Sequence, residues 1–126
     1  MDEIDLSEIV TAWVAGENAD PGSPEREVND WAIEHVILSS LRPEGDFLWE
    51  FVLAAYKRDL PDKVVAVLAA GPLEDLLAKQ GAEFIDRVEE LARKDPKFNY
   101  LLGGVWRSSI NDPVWQRVQS IRNHVW

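Results

Sequence analysis

Glu50 stands alone among apolar neighbours in the stretch Phe47-Leu48-Trp49-Glu50-Phe51-Val52-Leu53, and it is the first position at which this chain could do chemistry. A carboxylate carried into an apolar interior must find a partner or stay neutral, because its charged form loses hydration there. Glu50 is therefore read as a buried acid, paired with Lys57 or Arg107. The alternative is a working acid in a helix-lined pocket, as in a small hydrolase or transferase.

Other reactive residue types offer less. His35 and His124 are the only histidines, and they show neither H-x-x-x-H nor H-E-x-x-H spacing. His35 falls beside Trp31 and Leu38, as a core histidine would. Ser108 and Ser109 lack the G-x-S-x-G setting of an activated nucleophile. Glu74-Asp75 and Glu89-Glu90 are sequence neighbours on helices, so each pair points about 100° apart and reads as a solvated face. Without cysteine there is no disulfide, thiolate ligand or thiol nucleophile. No catalytic residue, metal site or cofactor is expected.

The residues suited to binding are more numerous. Of the six tryptophans, Trp106, which precedes Arg107 and follows the flexible pair Gly103-Gly104, and the terminal Trp126 are expected at the surface. Tryptophan and arginine are enriched at binding hot spots. The net charge of −10 is uneven: residues 1–50 hold 13 acids against 2 bases, and the remainder 10 against 11. Such a field repels phosphates and anionic lipid and favours a basic protein partner. Glu27, Asp30 and Glu34, at i, i+3 and i+7, form an acidic stripe opposite Val28 and Ala32. The candidate binding residues are Trp106, Arg107, Glu27, Asp30 and Glu34. They suggest an acidic binding module that neutralises or regulates a basic partner, as small immunity or antitoxin proteins do. A further alternative is an inhibitor whose acids imitate nucleic-acid phosphates. Direct contact with nucleic acid or membrane is not expected. An acidic N-terminus and the lack of any apolar run near ~20 residues point to the cytoplasm.

Helices must position these groups, since apolar residues recur with helical period and no stretch alternates with period 2. The first is expected over about Ile4–Ala15, with Asp2, Glu3 and Asp5 at its positive end and Ile9, Val10, Trp13 and Val14 inward. The second, about Pro24–Leu41, is expected to bury Val28, Trp31, Ala32, His35 and Leu38. FLWEFVLAAYKRD is apolar almost all round, as a central helix would be. Gly71 is read as a left-handed C-terminal residue and Pro72 as the first residue of the next helix, making a tight corner, with Gly81 closing that helix. Phe84, Ile85, Val88, Leu91 and Ala92 share the inward face of the helix that follows. Asp95-Pro96 and Asn111-Asp112-Pro113 each pair an N-cap with an early proline. Val114, Trp115, Val118, Ile121 and Val125 are expected on one face of the last helix.

Parts of the third and fourth helices recur after about 34–37 residues, a period that suits paired-helix repeats. The expected fold is a single all-α domain over residues 1–126, with acidic helices over 1–45 and a core over 46–126. Its helices, about seven or eight in number, would form stacked hairpins, HEAT-like or as an irregular bundle. The segments AAGPLEDLLAKQG, FIDRVEELARKDPKF, LLGGVWRSSI and VWQRVQSIR resemble an uncharacterised bacterial all-helical domain family with no known activity. The resemblance begins at Trp49 and leaves residues 1–45 outside. It implies an all-helical bacterial cytoplasmic domain and brings no catalytic residues.

Overall fold

A computed structural model describes residues 5–126; the expectations placed on Asp2, Glu3 and Ile4 lie outside them. The chain is all-helical, with no strand among the described residues. α1 spans Leu6–Asn18, α2 Pro24–Ser40, α3 Asp46–Tyr56, α4 Asp62–Leu68, α5 Glu74–Lys94, α6 Pro96–Leu102 and α7 Asp112–Ile121, with a π-helical turn, Ala69–Leu73, joining α4 to α5. The starts are chemically marked. Asp5, Ser23, Asp95 and Asn111 each accept a bond from a backbone N–H of the first turn. Prolines open α2, α6 and α7, where a missing N–H leaves no bond unmade.

α1 and α2 pack closely as a hairpin. α3 is central as expected: Leu48, Phe51, Val52, Ala55 and Tyr56 are buried. Its aromatic residues meet neighbours edge-on, Trp13 against Phe51 at 5.1 Å and Trp49 against Phe98 at 6.0 Å. Phe51, Phe84, Phe98, Leu68, Leu73, Leu76, Leu77 and Leu102 are wholly enclosed.

The expected corner at Gly71-Pro72 is not there. The helical path continues from α4 into α5, and Gly71 does not have a positive φ, which among the glycines occurs at Gly22. Proline inside a helix removes one i→i−4 bond and crowds the carbonyl of residue i−4. The chain meets that demand by widening one turn: Glu74 N–H donates to Ala69 O, an i→i−5 bond. Widening also corrects the phase. Leu68 and Leu77 would fall on opposite sides of an uninterrupted α-helix, which advances about 100° per residue. With the π turn between them both are buried. The break the sequence places at Gly81 does occur, one residue early, as a kink at Gln80 (φ −128°, ψ 23°). A Cβ on Gly81 would lie 2.9 Å from Val114 Cγ1, so its absence lets α7 approach α5.

Side chains tie the far ends together. Lys79 Nζ donates to Ser40 O at 2.8 Å, and Gln80 Nε2 donates to Pro43 O, pinning the α2–α3 connection to the kink. Asn99 is a buried hub: its Nδ2 donates to Ala92 O at 3.2 Å and Ile121 O at 3.0 Å, and its Oδ1 accepts from Asn123 N–H at 2.7 Å. Both carbonyls belong to helix C-terminal turns, which lack intrahelical partners. Tyr56 Oη donates to Asp95 Oδ2 at 2.7 Å, linking α3 to the α6 cap.

Candidate functional site

α2 turns a different face inward from the one its sequence suggested. Ala32, Ile33, Val36, Ser39 and Ser40 are buried, whereas Val28, Trp31 and Leu38 are exposed. His35 is half-buried with its ring 5.2 Å from Phe47. The buried choice follows from close hairpin packing: α1 presents Gly16, where a Cβ would lie 3.0 Å from Ile33 Cδ1 and 3.2 Å from Asn29 Cβ, so the face of α2 that carries Ile33 turns inward. Outward, Glu27, Trp31, Glu34, Leu38 and Leu41 follow one another at alternating intervals of four and three residues. This is the spacing with which a helix presents one stripe to a partner helix. Trp31 is 42% exposed, Leu38 53% and Leu41 68%.

The acidic candidates lie along the N-terminal half of this face. Glu27, Asp30 and Glu34 are all exposed. Arg26 Nε lies 4.0 Å from Asp30 and its Nη2 lies 3.7 Å from Glu17. Burial raises the Glu17 carboxyl above its ordinary value against the pull of Arg26. Glu27 and Glu34 have no ion-pair partner among the described residues.

Trp106 and Arg107 sit elsewhere, on the loop between α6 and α7, and no hydrogen bond or ion pair among the described residues joins them to α2. Trp106 is 74% exposed, as expected, yet its backbone is held: its N–H donates to Glu74 Oε1 at 3.0 Å. Arg107 is exposed and ion-paired with Asp112. Ile110 N–H closes a turn onto Arg107 O at 2.8 Å, and inside that turn Ser108 has φ 45°, a conformation a serine adopts at a cost. Gly103 and Gly104, expected to be flexible, are instead a buried shelf for Trp126. A Cβ on Gly104 would meet the indole at 2.7 Å, and Trp126 Nε1 donates to Tyr100 O at 2.9 Å. α7 ends at Ile121, so Val125, expected inward, is exposed.

Glu50 is a correction. It is exposed, and its side chain makes neither hydrogen bond nor ion pair with Lys57, Arg107 or any other described residue. Glu50 lies two turns before Lys57 on the one edge of α3 that reaches solvent; Asp46, Glu50 and Lys57 are all exposed along it. A central helix in a domain this small can still show water one narrow edge. The basis for a buried acid at this position is gone.

Sequence reasoning missed Arg122. It is half-buried on the tail leaving α7, donates from Nη1 to Val105 O at 3.0 Å, and stacks 4.8 Å over the Trp115 ring. Burial pushes its pKa below the usual arginine value. Its one sequence signal was an apolar face that ran on to Val125 past a basic residue. Two clefts flank Trp126. The larger, about 400 Å³, lies between α4 and α6 and is lined by Tyr56, Leu60, Val65, Tyr100 and Leu101 among others. The smaller, about 260 Å³, is walled by Trp106, Trp115, Arg107 and Arg122.

No helix among the described residues is long and apolar enough to cross a membrane. Residues 19–125 match the model of a protein family described as a family of unknown function, DUF6869. The match takes in α2, which the sequence resemblance had left outside. No curated protein matches, and no solved structure matches.

Proposed function

The chain belongs to DUF6869, a family of unknown function, and from that premise we propose that it is a binding module for a basic protein partner, received on the outward face of α2. The observation that carries this reading is the exposed stripe Glu27, Trp31, Glu34, Leu38 and Leu41. Large apolar side chains standing together in water mark interaction surfaces more often than scattered ones do. Carboxylates beside them select a partner helix that carries lysine or arginine next to its own apolar residues. The same reading takes the helices as stacked hairpins, HEAT-like or irregular, with α1–α2 the most closely packed pair.

The test is capture of a partner from host lysate, followed by binding kinetics at two salt concentrations. Steered association slows as salt rises, because exposed charges are screened over about 10 Å at 0.1 M. Glu27→Lys with Glu34→Lys should slow association and leave the melting temperature nearly unchanged. Trp31→Ala with Leu38→Ala should instead speed dissociation. A partner whose rates ignore both double variants would sink the proposal.

A further inference from the structure

The smaller cleft differs in chemistry from the rest of this acidic molecule. The polar side chains among the residues lining it carry donors and no acceptor: the guanidiniums of Arg107 and Arg122 and the indoles of Trp106, Trp115 and Trp126. Two backbone acceptors beside it are occupied. Val105 O takes Arg122 Nη1, and Gly103 O takes Trp126 N–H at 3.1 Å. Trp126 Nε1 is used by Tyr100 O, and Arg107 is neutralised by Asp112. Arg122 is different. No carboxylate lies within ion-pair distance of it among the described residues, and its Nε and Nη2 donate to none of them. A half-buried cation without a counter-charge, in a protein of net charge −10, is an unusual thing to leave standing.

We propose that this cleft binds a small oxyanion carried on a flat apolar body, with the carboxylate on Arg122 and the body against Trp106 and Trp115. Arginine offers a planar pair of donors that fits a carboxylate, and charge-assisted bonds of this kind are the strong ones. The indole walls supply apolar contact at low entropic cost. A volume of about 260 Å³ admits one ring with its acid group and little more. The strained turn at Ser108 and the Glu74 bond to the Trp106 backbone hold the outer wall in place before any ligand arrives. The proposal is independent of the α2 face.

Two sources share this chemistry, a free organic acid and the terminal carboxylate of a peptide. Benzoate and a short peptide ending in a free phenylalanine carboxylate are titrated separately against tryptophan fluorescence, with benzamide and the peptide amide as neutral controls. At least one acid should give a saturable change that its amide does not. Benzoate alone identifies a small organic acid, and the peptide alone a chain terminus. Arg122→Met should weaken the response about tenfold or more, the loss expected for a bond to a charged group. Because Arg122 also supports the loop carbonyls, Trp106→Ala provides a second variant whose side chain is exposed and plays no part in the core. It should weaken binding with the melting temperature preserved. The proposal is overturned if neither acid saturates, if the amides bind as well, or if folded Trp106→Ala and Arg122→Met bind like wild type.

Discussion

Removal of the Asn99 side chain amide should loosen the junction of α5, α6 and α7 more than any surface change. Asn99→Ala deletes three hydrogen bonds at a residue that is 5% exposed. Each such bond is worth about 0.5–1.5 kcal/mol net, and a polar group stranded without a partner costs about 1–3 kcal/mol. Asn123 is exposed, so water can replace its lost acceptor. Ile121 O and Ala92 O are less well placed for that. The expected loss is about 2–4 kcal/mol, which for a chain of this length lowers the melting midpoint by roughly 10 °C. Asn99→Asp separates the contributions, since a carboxylate can still accept from Asn123 but cannot donate to either carbonyl. It should therefore destabilise at neutral pH and recover part of the loss under acid conditions, when it regains a proton to donate. Thermal and urea unfolding of the three proteins provide the comparison. If Asn99→Ala melts within about 2 °C of wild type, the hub is not holding the helix ends, because a bond network of this size must register on that scale.

Gly71→Ala should stabilise by about 0.5–1 kcal/mol, because Gly71 lies on a helical path with nothing within 4 Å of a new Cβ; a destabilised variant would restore the left-handed corner. Gly81→Ala should do the opposite, costing about 1–3 kcal/mol by overpacking against Val114, as urea unfolding would show. Burial, with help from the bond to Asp95, pushes the Tyr56 hydroxyl up to about 12. That raised value means a contribution to stability fully present below the unfolded tyrosine pKa of 10.0 and lost as pH rises through about 12. Tyrosinate absorbance should therefore show a late titration that Tyr56→Phe removes. Gly104→Ala should displace Trp126 from its shelf, seen as a shift in tryptophan emission without loss of helical circular dichroism.

Much of this fold was legible because its signals are local. Caps at Asp95 and Asn111, prolines at helix starts and the apolar stripe of α5 depend on residues within a turn or two of one another. Where sequence failed, two local solutions were close in energy and a distant neighbour decided. Gly71-Pro72 fits a helix end as well as a widened turn, and the burial of both Leu68 and Leu77 selects the latter. α2 carries two possible apolar faces, and close packing against Gly16 of α1 turns the one with Ile33 inward. Apolar neighbours in sequence say little about Glu50, because the exposed edge of α3 needs only one residue per one or two turns. The same holds at the surface: the exposure of Trp106, Glu27, Asp30 and Glu34 is legible from residue type, whereas the outward turn of Trp31 and Leu38 and the bond of Arg122 to Val105 O depend on how distant helices pack.

The bonds from Lys79 and Gln80 to the α2–α3 connection bear on how the chain would meet a protease. By composition, Leu41-Arg42-Pro43-Glu44-Gly45 looks like an easy nick site. Cleavage there requires the segment to peel away from α5, breaking the bonds to Ser40 O and Pro43 O and exposing buried Gly45. The α1–α2 connection is tethered only at its ends, where Arg26 Nη1 donates to Gly16 O at 3.3 Å and Arg26 pairs with Glu17; between Asp20 and Ser23 the turn is closed by Ser23 N–H to Asp20 O, and Gly22 at φ 81° stands clear of neighbours. Local opening is cheapest where the fewest contacts break. A nonspecific protease at limiting dose should therefore cut first near Gly22, leaving the stretch from α2 to α5 as one piece and α1 as a second piece that stays packed on it through Ile9, Val10 and Trp13 until the protein is denatured.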